Sequence, residues 1–389
     1  MLLTGARVID PGRAVDANLD VAVNGNRIAK VAAGIPRTEA KQWYDLRGKI
    51  VTPGLIDVHA HIFEHGTDIG MDPNLAGVKS GVTTIVDAGS AGSGTYDGFH
   101  HYILPRSHAR VLSMIHLGRG GLAYMPEIRD AKDIDIDATV AMVNKHHGEI
   151  LGIKVRAVGP AVREMGVDLI KKAREAAKAS GTRVMVHIGD PLWKVEPTLT
   201  ARLLPLLEPG DIVTHLYTGA PGRLVDDNGK VLPEILDAQQ RGLIFDIAHG
   251  RFNMNFDVAR RLMDKGIVPL TVSTDLTPGG RDDMLKSMNH VMNKFLALGF
   301  RLDHVIRMAT YNAAELIGMR DDLGTLAEGT TADITVLEEH EGDWTFTDSQ
   351  RGTLKGTKAL APVLTFKDGV RYDVEYGPFP WGWLPNPRP

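Results

Sequence analysis

Two histidines separated by one alanine, His59 and His61, close the apolar run Leu55-Ile56-Asp57-Val58, which follows a turn signal at Thr52-Pro53-Gly54. Residues two apart in a strand point to one face. Both imidazoles therefore leave the same side of a rigid element, which is a way to grip one metal ion. A single His-x-His pair is a common chance occurrence, so its weight depends on ligands from other strands. Lys154 lies within Ile150-Leu151-Gly152-Ile153-Lys154-Val155, where an unpaired ammonium is costly to bury. His187 ends Val184-Met185-Val186-His187, His215 ends Ile212-Val213-Thr214-His215, and Asp275 ends Leu270-Thr271-Val272-Ser273-Thr274-Asp275. Each has a plainer reading alone. A strand-end histidine can be a hydrogen-bonded structural residue, Asp275 can cap a helix, and Lys154 can snorkel to solvent. Four histidines, a lysine and an aspartate gathered at the ends of apolar runs are hard to obtain from packing alone, and they point to a metal site.

Such residues converge only if the strands that carry them lie side by side. Apolar runs of strand length at 55–58, 83–86, 110–115, 150–155, 182–187, 211–215, 243–248 and 268–275 alternate with helical stretches such as 167–180, which stops at Gly181, and 257–265, which stops at Gly266. Eight such units predict an α/β fold, a (β/α)8 TIM-like barrel whose C-terminal strand ends share one mouth. An open doubly wound sheet is the competing fold. When it binds nucleotides it needs a Gly-x-Gly-x-x-Gly turn after its first strand, and 58–66 contains none. Gly89-Ser90-Ala91-Gly92-Ser93-Gly94 lacks the lysine of a phosphate loop and reads as a flexible mouth loop. Short strands at 6–10, 19–23, 27–31 and 50–51, with a hairpin signal at Asn24-Gly25-Asn26, precede the barrel. Helical stretches at 284–299 and 303–317 follow it, and strand character returns at 323–326 and 332–337. The expected division is a small β-sandwich domain built from both chain ends, 1–52 and 325–389, around a barrel at 53–324. The tail around 381–385 is expected to pack irregularly on a surface.

Composition narrows the chemistry. The 389 residues are 43% hydrophobic and 24% charged, enough for a sizeable core. The formal net charge is -4 and no basic block stands out, so the footprint of a nucleic-acid binder is missing. With no cysteine, disulfides and thiolate zinc sites are excluded. Any metal rests on His, Asp, Glu or modified Lys. No apolar run approaches the roughly 18 residues of a membrane span, and 1–7 lacks the apolar core of a secretory signal. The expectation is a cytoplasmic protein without a nucleic-acid or membrane partner, homo-oligomerisation being left open. His100, His101, His146, His147, His290, His304 and His340 fall in helical or loop stretches and read as solvated; His65 and His116 are unassigned.

Pro53-Gly54-Leu55-Ile56-Asp57-Val58-His59-Ala60-His61, the Lys154 run, His187, His215 and Ser273-Thr274-Asp275 resemble the amidohydrolase superfamily, and the flanking segments its dihydroorotase-like branch. Residues 81–92 and Phe245-Asp246-Ile247-Ala248-His249-Gly250 are similar to a subgroup of deacetylases acting on acetylated 2-hydroxy acids such as acetyl-(R)-mandelate. The resemblance covers nearly the whole chain, including the 329–337 segment. It implies two divalent ions, zinc given the thiol-free ligand set. His59, His61 and Asp275 would hold one and His187 and His215 the other. Lysine has donors only, so Lys154 would bridge as a carboxylated lysine, formed from its neutral amine and carbon dioxide. The implied reaction is attack of a metal-bridging hydroxide on an acyl carbon, with Asp275 as proton acceptor and donor. Arg156, two residues beyond Lys154, would clamp a substrate carboxylate, or pair with a barrel acid. His249 and Tyr217 are further substrate-binding candidates. The expected substrate is a small acylated acid. Cyclic-amide hydrolysis, N-acyl-D-amino-acid deacylation and deamination are alternatives within the superfamily. A non-catalytic scaffold is the alternative outside catalysis.

Overall fold

The computed structural model describes residues 1–192 and 195–375; the segment 381–385 lies outside them. Five strands come first: β1 (Leu2–Asp10), β2 (Val15–Asn24), β3 (Arg27–Ala32), β4 (Trp43–Asp45) and β5 (Ile50–Pro53). Seven follow with helices between them: β6 (Leu55–Ala60), β7 (Val82–Gly92), β8 (Arg110–His116), β9 (Ile150–Arg156), β10 (Arg183–His187), β11 (Ile212–Thr214) and β12 (Ile244–Asp246). The chain ends in β13 (Ile334–Thr347), β14 (Thr353–Lys367) and β15 (Val370–Asp373).

Strands β6 to β12 form one parallel sheet in sequence order. The two helices read from the sequence are present, the first ending at its glycine and the second at Met263, short of Gly266. The helix Asp168–Ser180 stops at Gly181, whose φ of 67° is left-handed, and the helix Phe256–Met263 starts at Asn255, which caps Val258 N. The eighth run, 268–275, is not a regular strand. Pro269 removes a donor and Asp275 sits at φ 52°, so pairing reduces to single bridges. Thr271 bridges Asp246 on β12 and Leu276 bridges Ala60 on β6. The segment thereby links both edges of the seven-stranded sheet. The glycine-rich stretch expected as a mouth loop instead extends β7 as far as Gly92, wholly buried.

An apolar layer with Ile56, Val58, Val86, Leu112, Met114 and Met185 fills the interior below the strand ends and packs on Ala313, Ala314 and Leu316. Fully burying each such aliphatic side chain contributes about 1.5–3 kcal/mol. That layer makes the strand ends a rigid platform.

The remaining strands form one mixed sheet, β15-β14-β13-β5-β1-β2-β3 with β4 on β1, rather than the two facing sheets of a sandwich. β5 runs parallel to β1 on one edge and antiparallel to β13 on the other, so the two chain ends join by continuous hydrogen bonding. The expected strand at 323–326 is a turn, with Gly324 at φ 74°. His146 and His290, expected in solvent, are buried by helix packing. Among the described residues no helix is long and apolar enough to cross a membrane.

Candidate active site

The strand ends bring the six expected residues into one cluster. His61 Nε2 lies 3.1 Å and His59 Nε2 3.7 Å from Asp275 Oδ1. Lys154 Nζ is 3.0 Å from His59 Nε2. The His59 and His215 rings are 5.3 Å apart, and His215 Nε2 lies 2.8 Å from His187 Nδ1. Lys154 faces inward because it is the register partner of His116 on β8 and Met185 on β10. Gly89 makes room for its stem: a Cβ there would lie 2.7 Å from Lys154 Cβ and Cγ. Gly250 does the same for Asp275, where a Cβ would lie 2.3 Å from Oδ2. His215 and Asp275 both have left-handed backbones, φ 72° and 52°, strain of the kind that collects at functional sites.

Hydrogen-bond partners assign the tautomers. A carbonyl only accepts, so His215 Nδ1–H donates to Ala248 O at 2.7 Å and His187 Nε2–H donates to Gly189 O at 3.1 Å. A neutral imidazole has one N–H. The two nitrogens that face each other at 2.8 Å are therefore both lone pairs. Burial keeps them unprotonated: it holds His187 well below the usual histidine value and pushes His215 down to about 3. Two lone pairs at that separation repel, and a shared cation would bind both.

The other half follows the same logic. Thr214 Oγ1 donates its proton to Asp246 Oδ2 at 2.9 Å, so it accepts from His59 Nδ1–H at 3.1 Å. His59 Nε2 is then a lone pair, and burial lowers its basicity well below normal. His59, His61 and Asp275 each offer one ligand atom within 4.8 Å of the others. Burial alone would raise the Asp275 carboxyl, but the His61 hydrogen bond and the imidazoles of His59 and His215 outweigh it and lower it below its usual range. Burial pushes Lys154 down to about 7, so much of it is neutral amine near neutral pH. This nitrogen- and oxygen-rich donor set fits divalent metal ions.

The three substrate candidates separate. Arg156 Nη1 donates to Glu127 Oε1 at 3.0 Å, and the two groups are largely buried. Tyr217 Oη is buried and has no hydrogen-bond partner among the described residues. His249 has both nitrogens engaged: Nδ1–H donates to Gly250 O at 2.7 Å and Nε2 accepts from Lys294 Nζ at 2.7 Å. It has no ring nitrogen left for substrate. Several residues escaped the sequence reading. Asp246 collects Thr214, Thr271 and Ser273 hydroxyls. Asp57, which burial raises to about 7, anchors Thr274 N and Oγ1 next to Asp275. Ser90 Oγ meets His61 Nδ1 at 2.9 Å. His116 Nδ1 accepts from Gly118 N, leaving a buried Nε2 without a partner among the described residues. A buried acid inside an apolar run was the available signal for Asp57 and Asp246.

The amidohydrolase family model matches residues 50–371. The chain is 33% identical over 354 residues to a deacetylase of Agrobacterium fabrum, covering 90% of this chain and 86% of the relative. In structure it is similar to a dihydroorotase, with a TM-score of 0.86 at 29% identity over 97% of this chain and 100% of the other. It is likewise similar to an adenine deaminase, with a TM-score of 0.87 at 27% identity over 96% and 99%. These likenesses imply a TIM-like barrel for the parallel sheet. The chain belongs to the amidohydrolase family of hydrolases, in its dihydroorotase-like branch.

Proposed function

We propose that the chain is a binuclear, metal-dependent hydrolase that removes an acyl group, acetyl foremost, from a small carboxylate-bearing ester or amide. The observation that carries this reading is the pair of unprotonated nitrogens, His187 Nδ1 and His215 Nε2, 2.8 Å apart beside the His59, His61 and Asp275 group. In this reading His59, His61 and Asp275 would hold one zinc ion and His187 and His215 a second. Lys154, once carboxylated by carbon dioxide, would supply the anionic oxygens that its ammonium lacks. Bound there, such ions would lower the pKa of the attacking water and polarise the acyl carbonyl. Asp275 would take the proton of the attacking water and deliver it to the leaving oxygen or nitrogen. Arg156, held by Glu127, presents its guanidinium to a substrate carboxylate. Tyr217 Oη is a further donor for substrate. The closed (β/α)8 barrel at 53–324 carries the site. Segments 1–52 and 325–389 form a second domain, a division that the pairing of β13 with β5 supports.

The deacetylase relative favours an acetylated substrate. The likenesses to a dihydroorotase and an adenine deaminase favour cyclic-amide hydrolysis or deamination as the second reading. The test is a panel on zinc-loaded protein of acetylated 2-hydroxy acids, N-acetyl-D- and L-amino acids, dihydroorotate and adenine. Turnover of the acetylated acids is expected. Turnover confined to dihydroorotate or adenine would overturn the deacylase reading.

A further inference from the structure

A second histidine cluster lies at the opposite end of the strands. His100 is on the helix Tyr96–Tyr102, His146 ends the helix Ile136–Lys145, and Glu149 immediately precedes β9. Five residue steps along β9 lead from Glu149 to Lys154, about 16 Å, so the cluster is remote from the site above. His100 Nδ1 lies 2.9 Å from Glu149 Oε2, and His146 Nδ1 lies 3.7 Å from the same oxygen. One ligand atom from each of the three falls within 4.8 Å of the others.

The Asp97 carboxylate accepts from His146 Nε2–H at 3.0 Å, and both its oxygens also accept from Lys145 Nζ at 2.7 and 2.8 Å. With Nε2–H donated to Asp97, the His146 ring turns Nδ1 toward the Glu149 carboxylate, 3.7 Å away. That gap is wider than a hydrogen bond and has a nitrogen on one side and a carboxylate oxygen on the other, the two atom types that ligate a divalent ion. A carboxylate on the far nitrogen is the usual support of a metal-ligating histidine, fixing its tautomer and ring orientation. His146 is itself 8% exposed, whereas His100 and Glu149 are half-buried, so an ion could enter from solvent.

We propose that His100, His146 and Glu149 form an additional site for a divalent transition-metal ion, zinc first, with Asp97 as its supporting carboxylate. Two imidazole nitrogens, one carboxylate oxygen and a solvent ligand make a four-coordinate set suited to that class of ion. The bound ion staples the helix after β7 to the turn that feeds β9. This site does not depend on the hydrolase reading.

The test is equilibrium dialysis of the full chain against zinc chloride with metal counting, followed by the same measurement on variants. His100→Ala and the near-isosteric Glu149→Gln are each expected to hold one ion per chain fewer than the parent and to keep its hydrolytic activity. Asp97→Asn is expected to weaken that ion about 10- to 100-fold. His147→Ala, which removes an exposed neighbour, is expected to keep the full count. An unchanged ion count in folded His100→Ala and Glu149→Gln would overturn the proposal. So would an equal loss in His147→Ala, which would mark surface histidines binding zinc without a built site.

Discussion

Lys154 and Lys294 are both fully buried, and burial pushes both down to about 7, yet their surroundings differ in kind. Lys294, on the helix Met288–Ala297, meets three acceptors: His249 Nε2 at 2.7 Å, Met284 O at 2.9 Å and Thr347 O at 2.9 Å. Three acceptors match the three N–H bonds of an ammonium, so this lysine is completed by the protein and ties the barrel to β13. Lys154 has one nitrogen acceptor, His59 Nε2, and a weak sulfur contact, Met185 Sδ at 3.7 Å. The protein leaves it incomplete. A buried group left unfinished is costly, and that cost is intelligible where chemistry is to be done on the group. The comparison teaches that burial alone does not mark a functional lysine, whereas the count of its acceptors does.

The largest test separates the two roles. Lys154→Met is expected to lower hydrolysis by at least about 10³-fold, the scale expected for a group that acts as a unit with its neighbours. Its stability should equal or exceed that of the parent, because an apolar side chain of similar length replaces a poorly paired buried amine. Activity and thermal unfolding measured on one preparation decide it. A variant that retains hydrolysis would remove Lys154 from the site, and one that unfolds would make it a structural lysine like Lys294.

Gly89→Ala probes the same lysine without touching it. The added Cβ would meet the Lys154 stem at 2.7 Å on a backbone with φ 90°. Overpacking costs about 1–3 kcal/mol. A displacement of about 1 Å in a reacting group can cost about 10²-fold in rate. The expected outcome in steady-state kinetics is a fall in kcat of that order in a folded protein. A variant with unchanged kcat would mean that the position of Lys154 Nζ is not critical.

Lys294→Met should reverse the pattern. It strands two buried carbonyls and His249 Nε2, and each unsatisfied buried group costs about 1–3 kcal/mol. Relief of the buried lysine offsets part of this, so a net loss of about 2 kcal/mol is expected in chemical denaturation, with hydrolysis changed less than about tenfold. A stable but inactive variant would mean that Lys294 and His249 serve the chemistry directly.

These two lysines also mark how far the sequence can be read. Lys154 stands out because it interrupts an apolar run on a strand, where period two leaves little room for a charge. Lys294 does not, because a lysine on a helix ordinarily marks the solvated face. Only tertiary packing buries Asn289, His290, Asn293 and Lys294 together. The first seven barrel strands were legible as short apolar runs bounded by glycine or proline. The eighth was overread because Pro269 and the left-handed Asp275 break its pairing. Of the long hairpin of β13 and β14 only the start at 332–337 was legible, because Glu338, Glu339, Glu341 and Asp343 interrupt its apolar pattern on a half-exposed edge. The four clustered histidines were legible by position, but their tautomers were not. Those depend on the carbonyls of Ala248 and Gly189 and on Thr214, which reach the rings only through backbone turns and a neighbouring strand. The engagement of His249 was illegible for the same reason, since its partner is 45 residues away on a helix.

The smallest effect, read per pH unit, tests whether Lys294 behaves as its three acceptors or as its burial suggests. If its value falls from 10.5 to about 7 on folding, the unfolded chain holds a proton across that window that the folded chain has released. Stability then rises with pH between about 7 and 10.5, by at most about 1.4 kcal/mol per pH unit from this group. Below about 7 both states are protonated and the contribution is flat. Lys294→Met lacks the group, and other titrations cancel when the two proteins are compared. The deficit of the variant should therefore widen steadily from pH 7 to pH 10 in denaturant titrations. A deficit constant over that range would show that the ammonium persists in the folded protein. Three well-placed acceptors would then outweigh desolvation, and the contrast with Lys154 would rest on charge as well as on partners.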